Sequence, residues 1–185
     1  GVIMKVNKLV MGSLSTNCYI VVDELSGLGA VIDPAVYNEE LLIAVKNSGM
    51  TKLAYIFLTH GHSDHILGVY DLKAAYKDAR VVIGTDDDIC LTSSACSLAS
   101  DLGLSQHPMH ADTCVSDNDK LQFGSTEVTV IHTPGHTPGS VCYLMGNIMF
   151  SGDTLFCRTC GRTDLFRGSH TDMMESVLKL GRLKG

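Results

Sequence analysis

The chain is patterned as short apolar runs separated by turn-forming residues. MKVNKLVMG (4–12), NCYIVVD (17–23) and GAVIDP (29–34) are rich in Val and Ile and parted by Gly, Ser and Asn, which predicts three strands. NEELLIAVKNSG (38–49) then reads as a helix. Asn38 suits its N-cap, Glu39 and Glu40 suit the positive first turn, and Gly49 suits the C-terminal end. KLAYIFL (52–58) predicts a buried strand, and Leu67, Tyr70 and Ala74 give the segment from Asp64 to Ala79 helical spacing. RVVIG (80–84) predicts a further strand, with a helix across 86–102. LSQHPMHADTCVSDND (104–119) is polar and irregular and predicts a long loop. Strands return as KLQFG, TEVTVIHT, SVCYLM and NIMFSGD, and a last helix is expected from Asp172, with Glu175 completing a capping box before Val177 and Leu178. Two batches of strands, each followed by helices, predict an α+β domain over residues 1–185, with two packed sheets flanked by helices.

Composition narrows the class. The 185 residues, 45% hydrophobic, are enough to bury a core without staples. A formal charge of −6 argues against a nucleic-acid-binding surface, which carries a basic footprint. No apolar stretch approaches the roughly 18 residues of a membrane span, and the N-terminus lacks the features of a signal peptide. The seven cysteines are odd in number and scattered, so mostly reduced thiols in a cytoplasmic protein are expected.

The candidate chemistry lies at strand ends. THGHSDH (59–65) places three histidines and an aspartate directly after a predicted buried strand. Alternation along extended chain sends His60 and His62 to one side, with Asp64 and His65 at the mouth of the next helix. HTPGHTPGS (132–140) sets His136 in a tight turn between two strands, and IMFSGDT (148–154) ends a strand at Asp153. Imidazole and carboxylate are ligands for Zn²⁺, with Fe and Mn as competitors. Three distant strand ends that each offer such a residue point to a metal site assembled by folding.

These motifs resemble the metallo-β-lactamase superfamily, whose signature is His-x-His-x-Asp-His, then a later His and a later Asp. TNCYIV, VIDP, LTHGHSDH, IHTPGHTPGS, FSGDTLF and GRTDL occur in the family's order, and HTPGHTPGS with SGDTLF and GRTDL is most similar to the small glyoxalase II-like hydrolases. The resemblance implies an αββα sandwich. It implies His60, His62 and His136 at a first metal, Asp64 and His65 at a second, and Asp153 bridging. It further implies one or two Zn²⁺, a metal-activated water oriented by Asp64, and a small-molecule thioester or ester substrate; on charge and hydropathy, neither nucleic acid nor membrane is expected as partner. The family's further histidine, in a GHG-like stretch, has no counterpart before LKLGRLKG, so a shortened chain without the last strand and a weaker second site are expected.

Other readings follow from the same residues. An iron-dependent redox relative, similar to persulfide dioxygenases, would use fewer ligands, and Asp64 with His65 favours the dinuclear hydrolytic pattern. A catalytically crippled metal-binding domain is the third reading. Asp33 is a candidate partner that fixes a ligand imidazole, or simply an aspartate ending a strand before Pro34. His132 reads as a structural histidine, His107 and His110 as loop residues, Arg162 and Asp164 as a pair, and CRTC (157–160) as incidental cysteines.

Overall fold

The computed structural model describes residues 4–183. The readings of the extreme termini reach residues 1–3 and 184–185, outside the described residues. β1 (Met4–Met11), β2 (Thr16–Asp23) and β3 (Leu28–Ile32) pair antiparallel, with Met4 opposite Asp23 and Tyr19 opposite Ile32. β4 (Lys52–Phe57), β5 (Arg80–Gly84) and β6 (Thr113–Val115) add in parallel, giving a six-stranded sheet in chain order. β7 (Lys120–Phe123), β8 (Thr126–His132), β9 (Val141–Met145) and β10 (Ile148–Phe150) form a four-stranded antiparallel meander.

Strand periodicity explains how the layers stack. Successive side chains point to opposite faces, so one set of the first sheet (Ile32, Phe57, Val82) meets Val128, Val130 and Tyr143 of the second. The other set (Ile20, Val31, Ile56, Val81, Ile83) packs under α1 (Glu39–Asn47), α2 (Ser63–Ile66), α3 (Val69–Ala75) and α4 (Asp88–Thr92) through Leu41, Ile66, Leu72 and Leu91. On the far side of the second sheet, α5 (His170–Gly181) covers Ile131 and Cys142 with Leu180. The result is an αββα sandwich of the α+β class. Each fully buried Val, Leu, Ile or Phe contributes about 1.5–3 kcal/mol. No helix among the described residues is long and apolar enough to cross a membrane.

Several expected elements differ. The helix from Asp64 breaks after α2, because Gly68 donates to Pro34 O at 2.9 Å and a Cβ there would lie 2.6 Å from that oxygen. The helix expected over 86–102 shrinks to a 3₁₀ turn and α4. Serine hydroxyls compete for the backbone beyond it: Cys96 N–H donates to Ser93 Oγ at 3.2 Å, and Ala99 N–H to Ser97 Oγ at 3.3 Å. α5 starts at His170, two residues early, since Ser169 accepts from Asp172 N–H and so provides the cap. The predicted loop contains β6, and LFCRTC forms an unanticipated hairpin of β11 (Leu155–Phe156) and β12 (Thr159–Cys160). Cys18, Cys114, Cys142, Cys157 and Cys160 are free, as expected of mostly reduced thiols, while Cys90 and Cys96 form a disulfide that the sequence reading did not anticipate.

Candidate metal centre

Both sheets hold the segments that carry the candidate ligands. Beyond β4 the chain continues between its neighbours: Leu58 N–H donates to Val82 O at 2.9 Å, and Thr59 O accepts from Val141 N–H at 2.8 Å. His60 follows in a bend and His62 on extended backbone, separated by Gly61, where a Cβ would meet Cys90 Cβ at 2.5 Å. Asp64 and His65 lie on α2, His136 lies in the β8–β9 turn, and Asp153 lies in the 3₁₀ turn after β10. Gly152 makes that turn at φ +48°, and a Cβ there would meet Thr59 Oγ1 at 2.2 Å.

All six residues picked from the sequence converge. Donor atoms of His60, His62 and His136 lie within 4.8 Å of one another, as do those of His60, His65 and Asp153. His62 Nδ1 is 2.9 Å from His136 Nε2, which is 3.4 Å from Asp153 Oδ2. His65 Nε2 is 3.2 Å from Asp153 Oδ1 and 3.4 Å from Asp64 Oδ2. Asp64 thus stands beside the second set rather than within it, held by Thr16 Oγ1 at 2.8 Å.

The neighbours of these rings decide which nitrogen is free. Thr59 Oγ1 donates to Asp33 Oδ2 at 2.7 Å, so toward His60 Nδ1, 3.1 Å away, it accepts. That puts the His60 proton on Nδ1 and leaves Nε2, buried and without a partner, as a bare lone pair. His136 Nδ1 faces the Arg162 carbonyl at 2.8 Å, which only accepts, so its Nε2 is also bare. His65 Nδ1 meets Asp33 Oδ2 at 2.9 Å, aiming Nε2 at two carboxylates. Asp33 therefore fixes His65 directly and His60 through Thr59, the partner role considered for it from sequence.

Electrostatics gives the same picture. Burial, with the neighbouring His65, His62 and His136, pushes His60 well below the ordinary imidazole value. Burial and the facing His136 and His65 lower His62 to about 3. Burial opposes charge on His65 too, but Asp33, Asp153 and Asp64 overcome it and raise that ring to about 10. Burial would raise Asp153, yet His65, His136 and His62 hold it below the usual carboxylate range. Without a cation, an imidazolium at His65 offsets part of the charge of Asp33, Asp64 and Asp153, while His60 and His136, each with Nδ1 engaged, turn Nε2 toward the cluster that His62 Nδ1 also faces. Oriented, buried, unprotonated imidazoles beside a carboxylate fit a divalent cation.

Asp87 escaped the sequence reading. Its carboxylate is wholly buried and accepts from Gly61 N–H at 2.9 Å, Thr137 Oγ1 at 2.6 Å and Gly139 N–H at 3.0 Å, with Arg167 Nη1 4.0 Å away. It pins the His60–His62 segment to the turn that carries His136. The available signal was TDDD (85–88), a carboxylate run at the end of a buried strand. Among the lesser candidates, His132 Nε2 meets Pro138 O at 2.8 Å, His107 stacks on Tyr70, His110 meets Asp88 and Arg162 pairs with Asp164. Cys157 lines the cleft beside His65.

An αββα sandwich with a histidine–carboxylate cluster at one edge of its paired sheets defines a class of metal-site proteins. Residues 11–185 match the family model described as the metallo-β-lactamase superfamily, and the chain belongs to that superfamily. It is 37% identical over 163 residues to hydroxyacylglutathione hydrolase of Bartonella quintana (strain Toulouse), covering 87% of this chain and 56% of that relative. The chain thus spans little more than half the length of that enzyme. Among solved structures, BLEG-1 B3 metallo-β-lactamase superimposes with TM-score 0.86 at 31% identity, covering 94% of this chain and 84% of the other. TTHA1623 in a di-iron-bound form gives TM-score 0.82 at 31% identity, covering 96% and 87%.

Proposed function

We propose that this chain is a metal-dependent hydrolase that directs an activated water at a thioester or ester bond. The observation that carries the reading is the convergence of buried imidazole nitrogens: His60 Nε2 has no partner, and His62 Nδ1 and His136 Nε2 face each other at 2.9 Å. A cation relieves that arrangement. His60, His62 and His136 would hold the first ion, and Asp64 and His65 the second, with Asp153 lying between them. Zinc suits this donor set, with iron and manganese as competitors. When bound, the ion supplies Lewis acidity and lowers the pKa of a water from about 15.7 to about 7.

The protein's own residues supply orientation. Asp33 and Thr59 hold His65 and His60, and the Arg162 carbonyl holds His136. Asp64, steadied by Thr16, orients the attacking water. Similarity to a hydroxyacylglutathione hydrolase supports hydrolysis and a thioester. The five free thiols support a cytoplasmic setting.

The test is reconstitution of metal-free protein with Zn²⁺, Fe²⁺ or Mn²⁺, followed by metal analysis and assay on a panel of thioesters, esters and lactones. Bound metal with hydrolysis, both lost in His136→Ala, is expected. Metal-loaded protein that cleaves no member of the panel overturns the reading.

A further inference from the structure

Two clefts meet at the metal centre and share Leu14, Asp64 and Asp153. The first, about 420 Å³, runs beside His65 and mixes polar groups such as Thr16, Asn17 and Ser151 with Met149, Leu155 and Phe156. The second, about 490 Å³, runs beside His62 and His136 and is walled by Leu98, Leu102, Leu165 and Phe166. We propose that this second lobe binds an uncharged, apolar substituent of the substrate, the acyl chain or aromatic ring of a neutral ester or thioester. The inference rests on the hydrolytic reading above and adds the substrate class.

Three independent features support it. Leu14, Leu102 and Phe166 leave 58%, 51% and 63% of their surface exposed around one cleft, a concentration of apolar surface unlike scattered exposed leucines. Leu98 enters the wall from a left-handed backbone, φ 64°, which bulky side chains rarely adopt. A strained residue at the mouth of a candidate site is the pattern of a positioned contact. Finally, the charges of the lobe are set against an anion. Asp101 and Asp164 line it, and its cation, Arg162, gives Nε and Nη2 to Asp164, each at 2.7 Å. A substrate carboxylate there would face the two aspartates or have to break the Arg162 pair.

The experiment uses zinc-loaded protein and two series of ligands built on one neutral thiol. The first carries acetyl, butanoyl, hexanoyl and octanoyl groups, and the second carries the same chains ending in a carboxylate. Binding of the non-hydrolysable thioether of each member is measured by calorimetry, and hydrolysis of each thioester is measured beside it. The affinity of the neutral thioethers should rise roughly two- to fourfold per added methylene, with kcat/KM following. Each carboxylate-ended member should bind at least tenfold more weakly than its neutral counterpart. Leu102→Ser and Phe166→Ser, checked for folding by circular dichroism, should flatten the chain-length slope. Affinity that does not change with chain length, or tighter binding of the carboxylates, overturns the proposal. Thioethers that follow the slope while no thioester is cleaved would uphold the lobe and sink the hydrolytic reading instead.

Discussion

Asp87→Asn tests how far the candidate metal centre depends on a residue that touches none of the proposed donors. The substitution keeps shape and volume but replaces one carboxylate oxygen with NH₂. Asp87 Oδ2 serves Gly61 N–H and Thr137 Oγ1, and Oδ1 serves Gly139 N–H near Arg167. Whichever way the amide turns, one buried backbone N–H is left facing another donor, and the charge assistance of every bond is lost. Losing a charged acceptor and orphaning a buried donor together cost about 2–4 kcal/mol. For a domain of this size that lowers the melting temperature by roughly 5–15 °C. Gly61 separates His60 from His62, and Thr137 follows His136, so the two halves of the first ligand set lose their common anchor. Metal affinity should fall about 10–100-fold, as when the partners of ligands are removed. Thermal melts of metal-free protein and competition for Zn²⁺ against a chromophoric chelator measure the two effects separately. Asp88→Asn is the control. That carboxylate accepts from Ala111 N–H at 2.9 Å and meets His110, away from the ligand segments, so stability should fall by about 1 kcal/mol with metal affinity unchanged. Asp87→Asn with a lowered melting point but wild-type metal affinity would refute the anchoring role.

Alanine at His60, His62 or His136 should abolish bound metal and hydrolysis together, whereas Cys157→Ser/Cys160→Ser should retain metal by elemental analysis; the opposite result would move the site to the β11–β12 hairpin. Metal uptake near pH 8 should release protons, detectable by calorimetry in buffers of different ionisation enthalpy, because His65 in the metal-free protein titrates only near about 10. In metal-free protein that raised value contributes stability fully present below the unfolded imidazole pKa of about 6.5 and lost as pH rises through the folded value, so His65→Gln should lower stability at pH 7 and matter little near pH 11. Asp23, whose carboxyl accepts from Ser125, Ser26 and Leu25 strongly enough to outweigh burial, sits below the ordinary carboxylate value. Its contribution is present above about pH 4 and lost as pH falls through the folded value, so the Asp23→Asn stability deficit in urea melts should shrink on acidification.

The αββα class and the six converging residues were legible in the chain because each rests on short-range chemistry. Short apolar runs bounded by turn-forming residues mark β2, β4 and β8 without any knowledge of their partners. A ligand-rich cluster at the end of a buried strand stands out because packing has no use for it. The helix boundaries near the site were not legible, since Gly68 ends α2 only where the chain passes Pro34, and the serines after α4 win their competition with the helix only in that local geometry.

Tertiary structure alone decided the rest. His136 is 74 residues from His62, and only the pairing of β8 with β9 and the packing of the two sheets bring the rings to 2.9 Å. The tautomers of His60 and His136 follow from what each Nδ1 meets, a threonine committed to Asp33 in one case and a backbone carbonyl in the other. Asp87 becomes an anchor because three donors from two distant loops close around it, and no local pattern marks one aspartate among three as the buried one. Residue type sets what a side chain can bind, and that is written in the sequence. Which atom is left unpaired is set by neighbours from remote segments, and those exist only once the sheets have packed.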